Sequence, residues 1–226
     1  FLLALSVYHI LWLQAMIYPL VTITHELGHA LVGWLFGYPS LPLFDFGQRE
    51  GMTLHGNQNL AVLLSVYLGL SILLFRYRHN SLTSRVLLGV IFTYSIIAFS
   101  RLANALIVFM GHGAELVLAS ILLYFAFANR LLQLRLLYAM LGFFIVLYDL
   151  SFAYKLRYDL SYQLLYAYHR SGNSLGDFSR LALSFDGKVA TVANLFFWCC
   201  FLPPLGSFVL FRYQNCVRDW LSKLKN

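Results

Sequence analysis

The segment Thr24-His25-Glu26-Leu27-Gly28-His29-Ala30 carries the spacing H-E-x-x-H. On a helix, His25 and His29 lie four residues apart and project from one face. Two imidazoles so placed can share one Zn²⁺ at about 2.0–2.1 Å. Glu26 is offset around the helix and is poorly placed to be a third ligand. It can instead reach a metal-activated water as general base, and zinc lowers the pKa of such a water toward about 7. The chemistry on offer is hydrolysis of a peptide carbonyl. The competing reading of these residues is a buried His/Glu hydrogen-bond network that only packs helices. Against it stands the setting: Ile23, Leu27 and Ala30 surround a carboxylate and two histidines, and polar groups in an apolar segment are costly unless they have work to do.

A third ligand is sought further along the chain. Gly111-His112-Gly113-Ala114-Glu115 places His112 and Glu115 three residues apart, so one helix face presents both. An ion pair between Glu115 and Arg101 is the alternative use of that carboxylate. His25-Glu26-Leu27-Gly28-His29-Ala30-Leu31, followed by the Gly/Pro-rich stretch from Gly37 to Gly56, resembles the site-2 protease family of intramembrane zinc metalloproteases, in its bacterial branch. The resemblance covers about residues 16–75. It implies proteolysis within the bilayer, with His25 and His29 as zinc ligands and Glu26 as base. The family usually adds an aspartate from an Asp-Gly motif on a later helix. Here the one Asp-Gly is Asp186-Gly187, 157 residues after His29. Asp186, Glu115 and His112 therefore all stand as candidates for completing the site.

These residues must be positioned by a chain of 226 residues that is 60% hydrophobic and only 11% charged, with a mean hydropathy of +0.71. Soluble domains carry about 25% charged residues, so neither a disordered chain nor a soluble globule fits. The expected class is an all-α polytopic membrane protein of about six transmembrane helices, forming a single membrane domain. The net charge of +7 sits in small clusters between apolar runs. That is the pattern of membrane-flanking anchors and not of a nucleic-acid groove. Cys199, Cys200 and Cys216 form no CxxC pair and are expected to pack as small hydrophobes. The first residue is Phe, so a missing start or a removed signal segment stays open.

Six apolar runs are expected to cross: Phe1 to about Phe36 with a kink at Pro19, Leu60–Phe75, Val86–Met110, about Ala114–Ala128, Leu136–Tyr154, and Val189–Phe211 bent at Pro203-Pro204. Residues 37–59 read as a small hairpin or re-entrant loop, with Leu43–Phe46 and Met52–Leu54 flanking Gly47–Gly51. Residues 155–188 read as an interfacial or extramembrane connection, rich in Tyr158, Tyr162, Tyr166 and Tyr168 and most flexible at Ser171–Ser174. With six crossings the H-E-x-x-H, His112 with Glu115, and Asp186 all fall in one leaflet. Lys/Arg counting favours cytoplasmic termini, which puts that leaflet on the far side, whereas family members commonly face the cytoplasm. Asp149 is expected to reach the interface or a nearby cation, and Asn104 and Asn194 to bond across helices.

The expectation is a membrane-embedded zinc endopeptidase in a bacterial inner membrane, acting on a transmembrane protein substrate. The alternative is a non-catalytic integral-membrane subunit that keeps the motif as a structural site and packs against partner membrane subunits. A dinuclear centre ranks third, since Glu26-x-x-His29 and His112-x-x-Glu115 supply only two carboxylates.

Overall fold

The computed structural model describes residues 2–9, 11–45, 50–129, 131–169 and 175–225. Within them the chain is helical apart from one two-stranded sheet. The first apolar stretch forms α1 (Leu2–His9) and α2 (Leu11–Leu35). Helix α2 runs through Pro19 and carries the H-E-x-x-H in its second half. It ends in a pair of turn hydrogen bonds, Tyr38 N–H to Gly33 O (2.8 Å) and Gly37 N–H to Trp34 O (3.1 Å), which satisfy its last carbonyls.

The expected hairpin forms next, longer than the sequence indicated. Strand β1 (Ser40–Asp45) pairs antiparallel with β2 (Glu50–His55), Ser40 opposite His55 and Asp45 opposite Glu50. Its turn at 46–49 lies outside the described residues. Both strands pack against α2, so the hairpin lies along the helix that bears the motif.

Helix α3 (Leu60–Arg76) starts where the Asn59 side chain accepts from the Ala61 N–H (2.9 Å). Helix α4 (Ser81–Ala98) starts where Asn80 accepts from the Thr83 N–H (2.9 Å). Both are side-chain N-caps. The next boundaries depart from expectation. The run expected at 86–110 breaks at Phe99-Ser100-Arg101, and α5 (Leu102–Ala128) continues unbroken through Gly111-His112-Gly113. The break expected between the runs ending at Met110 and starting at about Ala114 is absent, and both glycines lie mid-helix. The chain turns at Ser100, whose hydroxyl accepts from the Leu102 N–H (3.2 Å).

Helix α6 (Leu132–Tyr158) packs along α5, and α7 (Leu160–His169) follows it. Helix α8 (Asp177–Ser184) packs against α5 and against α9 (Val189–Cys199). The connection at 155–188 thus folds partly inward: Phe178, Leu181 and Ala182 join Phe196 and Cys200 in a buried cluster. The flexible point expected at 171–174 lies outside the described residues. Helix α10 (Leu202–Arg212) follows a bend at Cys200-Phe201, with Pro203 and Pro204 in its first turn, where proline loses no helical hydrogen bond. Helix α11 (Gln214–Lys225) closes the described chain.

Among the described residues, four helical segments are long and apolar enough to cross a membrane: Ser81–Ala98, Leu102–Ala128, Leu132–Tyr158 and Val189–Arg212. Leu60–Arg76 is a shorter apolar helix. Helix α4 leaves Val86, Leu88, Val90, Phe92 and Ile96 exposed, a surface suited to lipid and unsuited to water. Helix α5 is the most buried of the four and touches α2, α6, α8 and α10. It is the pillar on which the motif helix rests.

Candidate metal centre

Helix α2 presents the two imidazoles one turn apart, with ring centroids 4.7 Å from each other. The helix can approach α5 closely because Gly28 has no side chain: a Cβ there would lie 2.0 Å from the Met110 carbonyl oxygen. On the facing helix a Cβ on Gly111 would lie 2.4 Å from His29 Nε2 and 2.6 Å from His25 Nε2. The space that holds the ring tips exists because position 111 is glycine.

The third member of the group is Asp177, the first residue of α8. Its Oδ2 lies 2.9 Å from His25 Nε2 and 3.2 Å from His29 Nε2, and the two Nε2 atoms are 3.0 Å apart. Burial pushes the Asp177 carboxyl up, but the two imidazoles outweigh it and hold the carboxyl well below its usual range.

The opposite ring nitrogens decide what this triangle can be. His29 Nδ1 lies 2.7 Å from the Ile107 carbonyl oxygen, which can only accept, so Nδ1–H donates. His25 Nδ1 donates to Glu115 Oε1 at 2.9 Å. Were those the only ring protons, two neutral rings would turn Nε2 lone pairs toward each other and toward a carboxylate oxygen. Such a set requires extra protons or a cation between its members. Ligands of a tetrahedral ion at 2.0–2.1 Å are separated by about 3.3–3.4 Å. The observed 2.9–3.2 Å is close to that spacing. Carboxylate and carbonyl partners on the far ring nitrogens are also what metal-bound histidines ordinarily have. The residues fit a zinc ion.

Glu26 is buried, and the Thr53 hydroxyl on β2 donates to its Oε2 at 2.6 Å. A cavity of about 390 Å³ is bordered by His25, Glu26 and Asp177, by Glu50, Gly51 and Met52 of β2, and by Tyr148, Phe152 and Tyr166. Glu26, His25 and Asp177 thus open with the strand on one space, which His112 and Glu115 also border. His55, the last residue of β2, is exposed; its Nδ1 pairs with the Ser40 hydroxyl at 2.8 Å, and partial burial leads the influences that lower its pKa.

A second group adjoins the first. His112 Nδ1 lies 3.0 Å from Glu115 Oε2 and 3.4 Å from Asp149 Oδ1. The His112 ring stands 4.5 Å from the His25 ring, centroid to centroid, and is surrounded by Phe152, Phe178 and Phe196, each at 5.0 Å. His112 and Glu115 thus meet the motif from mid-helix. An Arg101–Glu115 pair does not form: Arg101 is exposed at the start of α5, about 20 Å along the same helix at 1.5 Å per residue. Asp149 does not reach the interface either; it is 0% exposed in the interior, because α6 packs that face on α5.

Asp186, the Asp-Gly candidate, is exposed beyond the end of α8 with φ +50°, outside the groups of potential ligands that meet. Asn104 is exposed, and the buried Asn194 Oδ1 has no hydrogen-bond partner among the described residues. Asp177 and Asp149 are the members that sequence reasoning passed over. For Asp177 a signal existed: it opens an eight-residue stretch whose Phe178, Leu181 and Ala182 recur on one face, the mark of an inward-packed helix.

No protein-family model, no curated protein and no solved structure matches the chain.

Proposed function

We propose that the chain is a multi-pass, membrane-embedded zinc endopeptidase that hydrolyses a peptide bond in or near the bilayer, with the bacterial inner membrane as its expected location. The observation that carries the reading is the meeting of His25 Nε2, His29 Nε2 and Asp177 Oδ2 within 3.2 Å while both Nδ1 atoms are committed elsewhere. In this reading His25, His29 and Asp177 hold the metal. Glu115 and the Ile107 carbonyl fix the tautomer of the two rings. When bound, zinc supplies a Lewis acid that acidifies water and polarises the scissile carbonyl.

Glu26 does the proton work. Its Oε2 is fixed by Thr53, and the carboxylate takes a proton from the attacking water and returns it to the leaving amine. Strand β2 is half of a two-stranded sheet, and its Glu50–Met52 stretch borders the cavity. An extended substrate segment laid beside that stretch would bring its carbonyl toward Glu26, as in recognition by strand addition. The substrate class is a membrane protein segment locally unwound from helix, and the partners are the lipid bilayer and that segment.

The test pairs metal analysis with cleavage of a panel of single-span peptides in detergent. Glu26→Gln is expected to retain zinc and lose turnover, by at least a hundredfold within the usual range for acid–base groups. Absence of zinc from the parent protein, or cleavage by the variant at the parental rate, overturns the reading. Zinc present with no peptide cleaved by either protein favours the non-catalytic subunit.

A further inference from the structure

The second group poses a problem of its own. Asp149 is 0% exposed, and among the described residues neither of its carboxylate oxygens has a hydrogen-bond partner. Glu115, 2% exposed, faces it closely enough that the two carboxyl groups need a proton or a cation between them. His112 Nδ1 stands 3.0 Å from Glu115 Oε2 and 3.4 Å from Asp149 Oδ1. A buried carboxylate without a donor is among the most costly arrangements a protein interior can hold. Something positive belongs between these three atoms.

We infer that His112, Glu115 and Asp149 form a second divalent-cation site, distinct from the His25/His29/Asp177 triangle and joined to it through Glu115. The two carboxylate oxygens lie 3.0 and 3.4 Å from His112 Nδ1, near the about 3.3–3.4 Å that separates tetrahedral ligands at ordinary zinc distances. Glu115 serves both sites without conflict: Oε1 accepts from His25 Nδ1–H at 2.9 Å, and Oε2 faces His112. One imidazole with two carboxylates suits a first-row divalent ion of intermediate hardness, such as Zn²⁺ or Mn²⁺.

Charge supports the same conclusion. Four buried carboxyl groups gather here: Glu26, Glu115, Asp149 and Asp177. With all four ionised, one divalent ion at the triangle would leave two of those charges uncompensated in a low-dielectric interior. A second divalent ion neutralises the set with no added proton. The structure thereby supplies the two carboxylates, Asp149 and Asp177, whose apparent lack counted against a dinuclear centre in the sequence. The competing arrangement is one metal ion beside a protonated His112 and a proton shared between Asp149 and Glu115.

Metal-free full-length protein in detergent is reloaded with Zn²⁺ alone, and bound metal is counted by elemental analysis. The expected count is two per chain for the parent. Asp149→Asn and Asp177→Asn are each expected to hold one. A parent count of one, lost in Asp177→Asn and kept in Asp149→Asn, overturns the second site while leaving the peptidase reading intact. A count of zero in the parent defeats both. To guard against a variant that merely misfolds, the anomalous-scattering map of the parent provides a separate check. Two peaks, one contacting Asp149 and one contacting Asp177, are expected, and a single peak at Asp177 refutes the inference.

Discussion

The two groups of candidate ligands adjoin, joined by the contact of His25 with Glu115, yet they rest on different scaffolds. His112, Glu115 and Asp149 all come from α5 and α6, two 27-residue helices packed along each other. His25 and His29 come from α2, but Asp177 comes from α8, a helix of eight residues. One group is held by two long elements of the bundle. The other is complete only when a short helix docks. An arrangement of that kind separates the permanence of the two sites: the α5/α6 group persists as long as the bundle does, whereas the triangle can be opened by losing a few contacts on α8.

The sharpest way to break this contrast is to undock α8 without touching a ligand. Leu181 is 5% exposed and packs in the cluster with Phe178 and Phe196. Leu181→Ala removes about 2–5 kcal/mol of packing, nearly all of it at the α8 face. Zinc affinity of the triangle is expected to fall by at least a hundredfold in a competition titration, while the α5/α6 group keeps its ion. Equal loss from both groups would show that α8 supports the whole centre and not Asp177 alone.

What the sequence made legible follows the same division. His25, Glu26 and His29 are readable because helix periodicity by itself puts i and i+4 on one face, and His112 with Glu115 is readable by the i, i+3 version of that argument. Asp177 and Asp149 meet these pairs only through tertiary packing, of α8 on α5 and of α6 on α5, and no spacing along the chain encodes such a meeting. The hairpin was readable from its turn residues, but the α4/α5 boundary was not. Gly111 and Gly113 look like breakers in the sequence. In the structure Gly111 lies mid-helix, and the imidazoles of α2 fill the space that a side chain there would take.

That last point yields a smaller and more local perturbation. Gly111→Ala favours the helix by propensity, about 1 kcal/mol over glycine, yet places a methyl group 2.4 Å from His29 Nε2. Overpacking costs about 1–3 kcal/mol, so the helix gain and the steric cost oppose each other. The expected result is a protein whose thermal stability changes little and whose triangle binds zinc about tenfold more weakly. The α5/α6 group should lose less. Zinc affinity at the parental level would mean that the rings have room to retreat, and that Gly111 is there for helix approach alone.

The smallest expected effect separates catalysis from metal binding altogether. Thr53 touches neither group of ligands; its hydroxyl donates to Glu26 Oε2 at 2.6 Å from the strand beside it. Thr53→Val keeps the β-branched shape that suits a strand and removes only the donor. A hydrogen bond to a charged group contributes about 1.5–3 kcal/mol, but Glu26 borders the cavity, where water can replace part of the lost bond. A fall in kcat of about tenfold is expected, with KM and the bound metal count unchanged. The split matters more than its size. If metal content falls with kcat, the hairpin is a structural brace for the α2 ligands; if kcat alone falls, β2 positions the general base.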